Sequence, residues 1–93
     1  MSYRVLQSNR FARAFKKMHS NLRDCVVKLV REVAQSPELG ERKKGDLANL
    51  YVRKAHCNGV LILLGYTVDD ELRLVYLEAV GPHENFYDRL KRG

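Results

Sequence analysis

Residues 51–66 hold the feature that most constrains the fold: a tight-turn signal between two stretches with different hydrophobic patterns. Residues 51–56 alternate in the way that is typical of a half-buried strand. The run GVLILLGY at residues 59–66 is apolar throughout and indicates a central strand covered on both faces. The intervening Asn58-Gly59 predicts a two-residue hairpin, so these two strands are expected to be antiparallel.

A second hairpin and a short helix are expected toward the C-terminus. Asp69-Asp70 predicts the next turn, and residues 72–80 predict the last strand. Gly81-Pro82 is expected to end that strand. We predict a terminal helix over about residues 84–91.

The N-terminal part of the chain predicts one strand followed by a helix. Residues 3–6 alternate as a short strand, and Ser8 offers a side chain that can cap a helix N-terminus. Apolar residues then recur at i, i+4 and i+7, which is typical of one buried helix face. These residues are Phe11, Phe15 and Met18.

A second, longer helix is expected next. His19-Ser20-Asn21 ends the first helix and can cap this one, and Ser36-Pro37 stops it. The polar residues 37–49 predict a loop. The apolar stripe of the second helix consists of Leu22, Val26, Leu29, Val30 and Val33.

These elements predict one α+β domain over residues 1–93. The two helices form a helical hairpin whose apolar stripe needs a partner, and the sheet is the only large apolar surface that the sequence offers. We therefore expect an N-terminal strand and a helical hairpin packed on a twisted antiparallel sheet, with a short C-terminal helix.

The charge balance favours a polyanionic partner. Lys and Arg number 17 against 11 acids, giving a net charge of +6, and three of the acids are clustered at residues 69–71. Such a field favours nucleic acid or the ribosome. The alternative is a basic protein that binds no anion specifically.

The sequence predicts a cytoplasmic protein with no membrane segment. The first ten residues lack an apolar stretch of signal-peptide length. The longest apolar run is far shorter than the ~20 residues that a membrane helix needs. Cys25 and Cys57 form no metal motif, and we expect thiols in a reducing compartment rather than a structural disulfide.

The C-terminal stretch GPHENFYDRLKRG combines several groups that could do chemistry. On a helix over residues 83–91, His83 and Tyr87 share one face, while Phe86 and Leu90 form an apolar face that anchors the segment. A histidine can transfer a proton near neutral pH. A tyrosine can bind a phosphate or stack on a base. A His83 that caps the helix and a Tyr87 that belongs to the core would give the same pattern.

The strand over residues 51–56 carries further candidate groups. Lys54 and His56 lie on one face and Arg53 on the other. The sequence leaves open which face meets the helices, and His56 is equally compatible with an exposed turn. His19 is assigned a local capping or solvent role.

Basic residues elsewhere are candidate contacts for RNA or the ribosome. Cations held on or near a sheet can bind phosphates and stabilise the charge of phosphoryl transfer. Those in a loop can follow a nucleic-acid backbone without reading its sequence. The first kind comprises Arg53, Lys54, Arg73 and Arg89, and the second Arg42, Lys43 and Lys44.

Several catalytic motifs are absent from the sequence. It has no glycine-rich phosphate loop, CxxC pair, HExxH or GxSxG, and its histidines lack the local spacing of zinc ligands. We therefore expect no metal and no cofactor, and a nuclease activity, if present, that needs no metal.

The whole chain resembles the RelE/ParE superfamily of bacterial toxins from type II toxin–antitoxin systems. YRVLQSNRFARAFKKM is similar to the first strand and helix of that family, and SPELGERKKGDLANLYVRK to its helix end, basic loop and return strand. LRLVYLEAVGPHENFYDRLKR is similar to its last strand and terminal active-site segment. The combination PELG…GDL…LY with a strand-borne G-x-H is specific, although no piece is specific alone.

This resemblance implies a small cytoplasmic toxin that a cognate antitoxin neutralises by wrapping its surface. RelE-like members cut mRNA in the ribosomal A site, whereas ParE-like members poison DNA gyrase. The ending GPHENFY is similar to the His-x-x-x-aromatic pattern of the RelE-like endonucleases. It implies that His83 is a catalytic acid or base and that Tyr87 supports the substrate. Lys54 and Arg53 would be the strand cations, and His56 a weaker match.

The function expected from this resemblance is a metal-independent, ribosome-dependent mRNA endonuclease. The alternatives are a ParE-like inhibitor of DNA gyrase, a basic nucleic-acid-binding module, or a degenerate toxin. Many RelE-like members carry an arginine early in the strand that here is GVLILLGY, which has no charged residue. The resemblance then implies that Arg53 or Arg73 replaces this cation, or that the activity is weaker or different.

Overall fold

The computed structural model describes residues 2–84 and 86–91. Helices and strands follow one another in the order that the sequence predicts, with one further short strand. They are β1 (Arg4–Gln7), α1 (Asn9–Lys17), α2 (Ser20–Gln35), β2 (Glu41–Arg42), β3 (Tyr51–Cys57), β4 (Val60–Asp69), β5 (Leu74–Pro82) and α3 (Phe86–Lys91).

The strands form one sheet in the order β1-β5-β4-β3-β2. Each adjacent pair among strands β2, β3, β4 and β5 is antiparallel, while β1 pairs in parallel with β5. Asn58 and Gly59 have φ values of 53° and 82°, which is the backbone that a two-residue hairpin turn requires. The predicted α+β fold is therefore confirmed, with β1 as a parallel edge strand.

The helical hairpin of α1 and α2 covers one face of the sheet, which we call the hairpin face. Ser8 caps α1 as predicted, because its Oγ accepts a 3.0 Å hydrogen bond from the Phe11 amide. Buried side chains of both helices meet those of the central strands there. The core of this face includes Phe11, Val26, Leu29, Val33, Ile62, Leu64, Tyr66, Val75 and Leu77.

The opposite face, which we call the α3 face, carries a smaller core beneath α3. Phe86 is buried as the predicted anchor, and Leu90 packs beside it. The buried residues are Leu50, Val52, Leu63, Ala79 and Phe86. Since Leu63 lies between Ile62 and Leu64 along β4, this strand is covered on both faces as its continuous apolar run predicts.

Two predictions about the C-terminal segment are wrong. Strand β5 does not end before Gly81-Pro82 but includes both residues, and its last residue, Pro82, is paired to Ile62. The proline is tolerated because β1 pairs with β5 only as far as Leu77, so the missing amide interrupts no neighbouring strand. As a result His83 follows a strand, α3 begins only at Phe86, and the two do not share a helix.

The predicted loop over residues 37–49 is more ordered than expected. It contains β2 and two 3-10 turns, Pro37–Leu39 and Gly45–Leu47. The buried Tyr66 hydroxyl donates to the Pro37 carbonyl at 2.6 Å and accepts from the Gly40 amide at 2.9 Å. A Cβ on Gly40 would lie 2.3 Å from that hydroxyl, so only glycine fits. Tyr66 thus anchors the start of the basic loop to the core.

Cys25 and Cys57 form a disulfide between α2 and the end of β3, so the expectation of two free thiols is wrong. Their Cα atoms are 6.0 Å apart, although 32 positions separate them in sequence. Packing of α2 against β3 brings the pair together. No local spacing signal reports such a contact.

Candidate active site on the α3 face

His83 and His56 lie on either side of Leu61 at the end of the sheet where the β3–β4 hairpin turns. The His83 amide donates to the Leu61 carbonyl at 3.0 Å, and His56 is the register partner of Leu61 on β3. Neighbouring strands are about 4.8 Å apart, so the two histidine Cα atoms are separated by about 10 Å. Both residues are exposed.

Lys54 belongs to the same face as His56. It is the register partner of Leu63, whose side chain lies in the core beneath α3. Because side chains on a strand alternate, Lys54 and His56 both lie on the α3 face, two residues apart. Lys54 is exposed and has no ion-pair or hydrogen-bond partner within residues 2–84 and 86–91.

Arg53 lies on the hairpin face, away from Lys54. Its Nη2 is 3.4 Å from Oε1 of Glu32 on α2, with which it forms an ion pair. The structure therefore does not bring Arg53 together with the candidate groups on the α3 face. Strand alternation separates the two cations, and the packing of α2 decides which of them faces the helices.

Tyr87 is half-buried on α3 and packs edge-to-face against Phe86, with ring centroids 5.2 Å apart. Lys43 Nζ lies over the ring of Tyr87, 5.3 Å from its centroid, in the geometry of a cation–π contact. The Tyr87 hydroxyl is buried, and after the hydrogen bond with Glu41 its interaction with Lys43 raises the pKa of that lysine. This arrangement joins the basic loop to the C-terminal helix on the α3 face.

Glu41 and Lys43 form a short ion pair beside this contact, with Oε1 and Nζ 2.5 Å apart. The hydrogen bond from Lys43, and after it the charge of Lys54, lowers the pKa of Glu41. The same bond to Glu41 raises the pKa of Lys43. Both groups are therefore charged near neutral pH, and Lys54 is close enough to act on Glu41 electrostatically. The sequence pattern did not single out Glu41.

The other two loop cations lie at the margin of this surface. Arg42 Nη2 bonds the Oδ1 of Asn49 at 3.1 Å, and Lys44 is exposed. Together with Lys43 they line an open groove of about 420 Å³. The loop is more restrained than expected, since the Lys43 amide donates to the Leu50 carbonyl at 2.8 Å.

Arg73 and Arg89 lie in different places. The guanidinium of Arg73 stacks on the ring of Tyr3 at 4.6 Å, in the β4–β5 turn. The length of β5 separates this turn from His83 by about 30 Å at about 3.3 Å per residue. Arg73 is thus not brought to the candidate site. Arg89 is exposed on α3, near the end of β5.

Two further observations concern metal ions and membranes. In the part of the chain that the structure describes, no group of three or more His, Cys, Asp or Glu side chains is arranged to hold a metal ion. Over the same residues, no helix is both long enough and apolar enough to cross a membrane.

The fold and this surface agree with one family of known proteins. The model of the ParE-like toxins of type II bacterial toxin–antitoxin systems matches residues 5–91. The chain belongs to this family, and the predicted membership of the RelE/ParE superfamily is confirmed. Comparison with curated protein sequences gives no match.

Solved structures of RelE toxins have the same fold. A free-state mutant of Escherichia coli RelE is 26% identical with a TM-score of 0.77, and the match covers 99% of this chain and 98% of that one. The toxin–antitoxin complex RelBE of E. coli gives 28% identity and a TM-score of 0.74, covering 89% and 99%. A RelBE complex of Mycobacterium tuberculosis gives 20% identity, a TM-score of 0.80 and coverage of 89% and 93%, and shows similarity of fold alone.

Proposed function

We propose that this toxin is a metal-independent endoribonuclease that cuts mRNA in the ribosomal A site and so inhibits translation. The observation that carries the proposal is the position of His83 and His56 on either side of Leu61, with Lys54 beside them on the α3 face. The similarity to E. coli RelE over nearly the whole chain supports it.

The proposed reaction uses the 2′-hydroxyl of the RNA as nucleophile. His56 accepts the proton of this hydroxyl, the oxygen attacks the adjacent phosphorus, and the bond to the 5′-oxygen breaks. His83 donates a proton to that departing oxygen. The products are a 2′,3′-cyclic phosphate and a 5′-hydroxyl. Because the nucleophile comes from the substrate, the reaction needs no metal-bound water.

The remaining groups on the α3 face are assigned to binding and charge stabilisation. Lys54 and Lys43 offset the negative charge that develops on the phosphorus oxygens. Tyr87 positions the nucleotide at the scissile bond. Its buried hydroxyl lies beside Lys43 and favours the charged form of that lysine. Arg53 is left out of this assignment because it pairs with Glu32 on the hairpin face.

Ribosome dependence is part of the proposal. The candidate groups are spread over β3, the basic loop and α3, and all but Tyr87 and Lys43 are exposed. A surface this open supplies little positioning of its own, so the ribosome would have to hold the mRNA in a reactive geometry. Arg42, Lys44 and Arg89 are assigned to contacts with RNA phosphates. This function places the protein in the cytoplasm.

We also propose a cognate antitoxin as the protein partner. The 28%-identical E. coli structure is an intact RelBE toxin–antitoxin complex. A partner with excess acidic residues would complement the net charge of +6. Co-expression with the gene product that restores growth would identify it.

A second candidate function is inhibition of DNA gyrase without RNA cleavage. It is favoured by the family model, which is that of the ParE-like toxins. This function predicts DNA damage after induction and unchanged mRNA ends. It assigns no proton-transfer role to His83.

The deciding experiment is induction in cells followed by mapping of new 5′ ends on translated messages. The proposal predicts in-frame cuts for the unaltered protein, reduced about 10²–10⁴-fold by His83→Ala, which removes a positioned acid. His19→Ala is the matched control, since His19 is an exposed histidine in the joint between α1 and α2. Unchanged cleavage by a folded His83→Ala variant would contradict the catalytic role of His83. DNA breaks without mRNA cuts would favour inhibition of DNA gyrase as the function.

A further inference from the structure

A small cavity lies where α1, the end of β5 and α3 meet. Its volume is about 70 Å³, and its lining includes Arg10 of α1 and Arg89 of α3. The cavity exists because β1 pairs with β5 only to Leu77, after which α1 packs against the strand edge instead. The Ser8 hydroxyl, which donates to the Glu78 carbonyl at 2.8 Å, marks this change of neighbour.

Neither Arg10 nor Arg89, which both line this cavity, is paired with another side chain in the part of the chain that the structure describes. Within residues 2–84 and 86–91, Arg10 and Arg89 make no hydrogen bond or ion pair, whereas Arg42 bonds Asn49 and Arg53 pairs with Glu32. A guanidinium offers five donors in a planar fork that suits the oxygens of a phosphate. Two such groups beside one cavity therefore favour an anion.

Size and position restrict what the anion could be. The volume of about 70 Å³ leaves room for a group the size of a phosphate but not for a whole nucleotide. Pro82 and Glu84, the chain neighbours of His83, both line the cavity. A phosphate held there would lie next to the proposed proton donor.

We propose that Arg10 and Arg89 form a binding site for one phosphate group of an RNA chain, adjacent to the scissile position. The RNA part of this inference rests on the proposed function, whereas the phosphate site rests on the cavity alone. Arg10 is a binding residue on α1 that the sequence pattern does not single out. Arg10 and Arg89 come together only in the tertiary structure, in which α1 and α3 flank the same edge of β5.

Neutralising Glu84 should change the affinity for phosphate in the direction opposite to the loss of Arg10 or Arg89. Glu84 lines the same cavity, and its negative charge would repel an anion there. Removing a positive charge should weaken phosphate binding, and neutralising Glu84 should strengthen it. A purely structural role of these residues would not produce opposite effects on one ligand.

The first arm of the test is titration of the protein with inorganic phosphate, followed by NMR of the backbone amides. We expect saturable shifts at Gly81 and Glu84, which Arg10→Ala and Arg89→Ala weaken at least 10-fold in affinity. Arg13→Ala is the matched control, because it removes the same charge from an exposed position of α1 that does not line the cavity. Glu84→Gln should tighten binding about 2- to 3-fold.

The second arm uses a labelled single-stranded RNA 12-mer in a His83→Ala background, so that binding is measured without cleavage. Arg10→Ala and Arg89→Ala should each weaken binding about 10-fold and lower the salt slope by about one. Effects equal to that of Arg13→Ala, or phosphate-induced shifts that survive in the Arg10→Ala/Arg89→Ala double variant, would overturn the site. If Arg10→Ala does not fold, Arg10→Lys replaces it in the test, because lysine keeps the charge and the aliphatic chain but lacks the planar guanidinium.

The two arms separate this site from the proposed nuclease. Phosphate binding that depends on Arg10 and Arg89, in a protein that makes no mRNA cuts, would retain the site and remove the function. Mapped mRNA cuts with no effect of either arginine on phosphate or RNA binding would retain the function and remove the site.

Discussion

The ammonium group of Lys43 lies 5.3 Å from the centroid of the Tyr87 ring, so the basic loop and the C-terminal helix meet over one face of the sheet. Lys43 is held there from two directions, by its amide bond to the Leu50 carbonyl and by its ion pair with Glu41. Lys44, its chain neighbour, is exposed and has no such restraint in the described residues. Two adjacent cations of the same loop therefore occupy different positions relative to Tyr87.

This difference predicts unequal effects of removing each charge. Lys43→Ala should lower mRNA cleavage about 10-fold, because it removes a positioned cation beside Tyr87. Its effect on stability should be about 1–2 kcal/mol, as expected for a half-buried cation–π contact. Lys44→Ala removes the same charge from the same loop and should lower cleavage by less than about 3-fold. Cleavage on purified ribosomes, with urea unfolding as the fold control, measures both, and equal losses would refute a specific role for Lys43.

The Tyr66 hydroxyl should contribute to stability rather than to chemistry. Tyr66→Phe leaves the Pro37 carbonyl and the Gly40 amide without their partner, which should lower the free energy of unfolding by about 2–3 kcal/mol. Tyr51→Phe is the control, since Tyr51 stacks on Tyr66 but lies at the edge of the same core. Urea denaturation would detect the difference, and a loss no larger than that of the control would contradict the anchoring role.

The same hydroxyl predicts a pH dependence. Burial raises the pKa of Tyr66 from 10.0 to about 12. Because the folded-state pKa lies above the unfolded one, the stabilising contribution is complete below pH ~10 and is lost as the pH rises toward ~12. The unfolding free energy of the unaltered protein should therefore fall over this range by on the order of 2 kcal/mol more than that of Tyr66→Phe. If the unfolding free energies of the two proteins change with pH in parallel, the Tyr66 phenol does not titrate in this way.

Reduction of the Cys25–Cys57 disulfide should destabilise the fold. The bond closes a loop with a sequence separation of 32, and loops of this size are stabilised by about 3–4 kcal/mol through restriction of the unfolded chain. A reductant should lower Tm by more than about 10 °C for a domain of this size. The Cys25→Ala/Cys57→Ala variant should have a lower Tm than the unaltered protein, and this Tm should not change when a reductant is added. Two reactive thiols in the denatured, untreated protein would show that the bond does not form.

Local sequence rules predicted the parts of the fold that depend on neighbouring residues. The turn at Asn58-Gly59, the stripes of α1 and α2 and the double-sided burial of β4 each follow from backbone preference or periodicity. The parallel pairing of β1 with β5 and the Cys25–Cys57 bond depend on packing between distant segments, which no local pattern reports. The continuation of β5 through Pro82 was missed because a missing amide matters only where a neighbouring strand would accept it.

The candidate site was predictable to a similar extent. Strand alternation correctly separated Arg53 from Lys54 and His56, but the sequence could not say which side would meet α2. Predicting the position of His83 relative to Leu61 would have required the register of β5 on β4, which the sequence does not give. The contact of Lys43 with Tyr87 joins residues from two segments that are distant in sequence, so tertiary structure alone reveals it.

The opposite positions of Arg53 and Lys54 give the sharpest test of the α3 face as the reactive surface. Lys54→Ala should lower mRNA cleavage about 10²-fold, because a cation carried by the sheet two residues from His56 is removed, and leave stability nearly unchanged. Arg53→Ala breaks the ion pair with Glu32 and should cost up to about 1 kcal/mol of stability while cleavage stays within about 3-fold. Adjacent residues of like charge thus serve as each other's control, because general loss of positive charge would affect both alike. Cleavage on ribosomes and urea unfolding of both variants would decide, and a larger loss of cleavage in Arg53→Ala would move the reactive surface to the hairpin face.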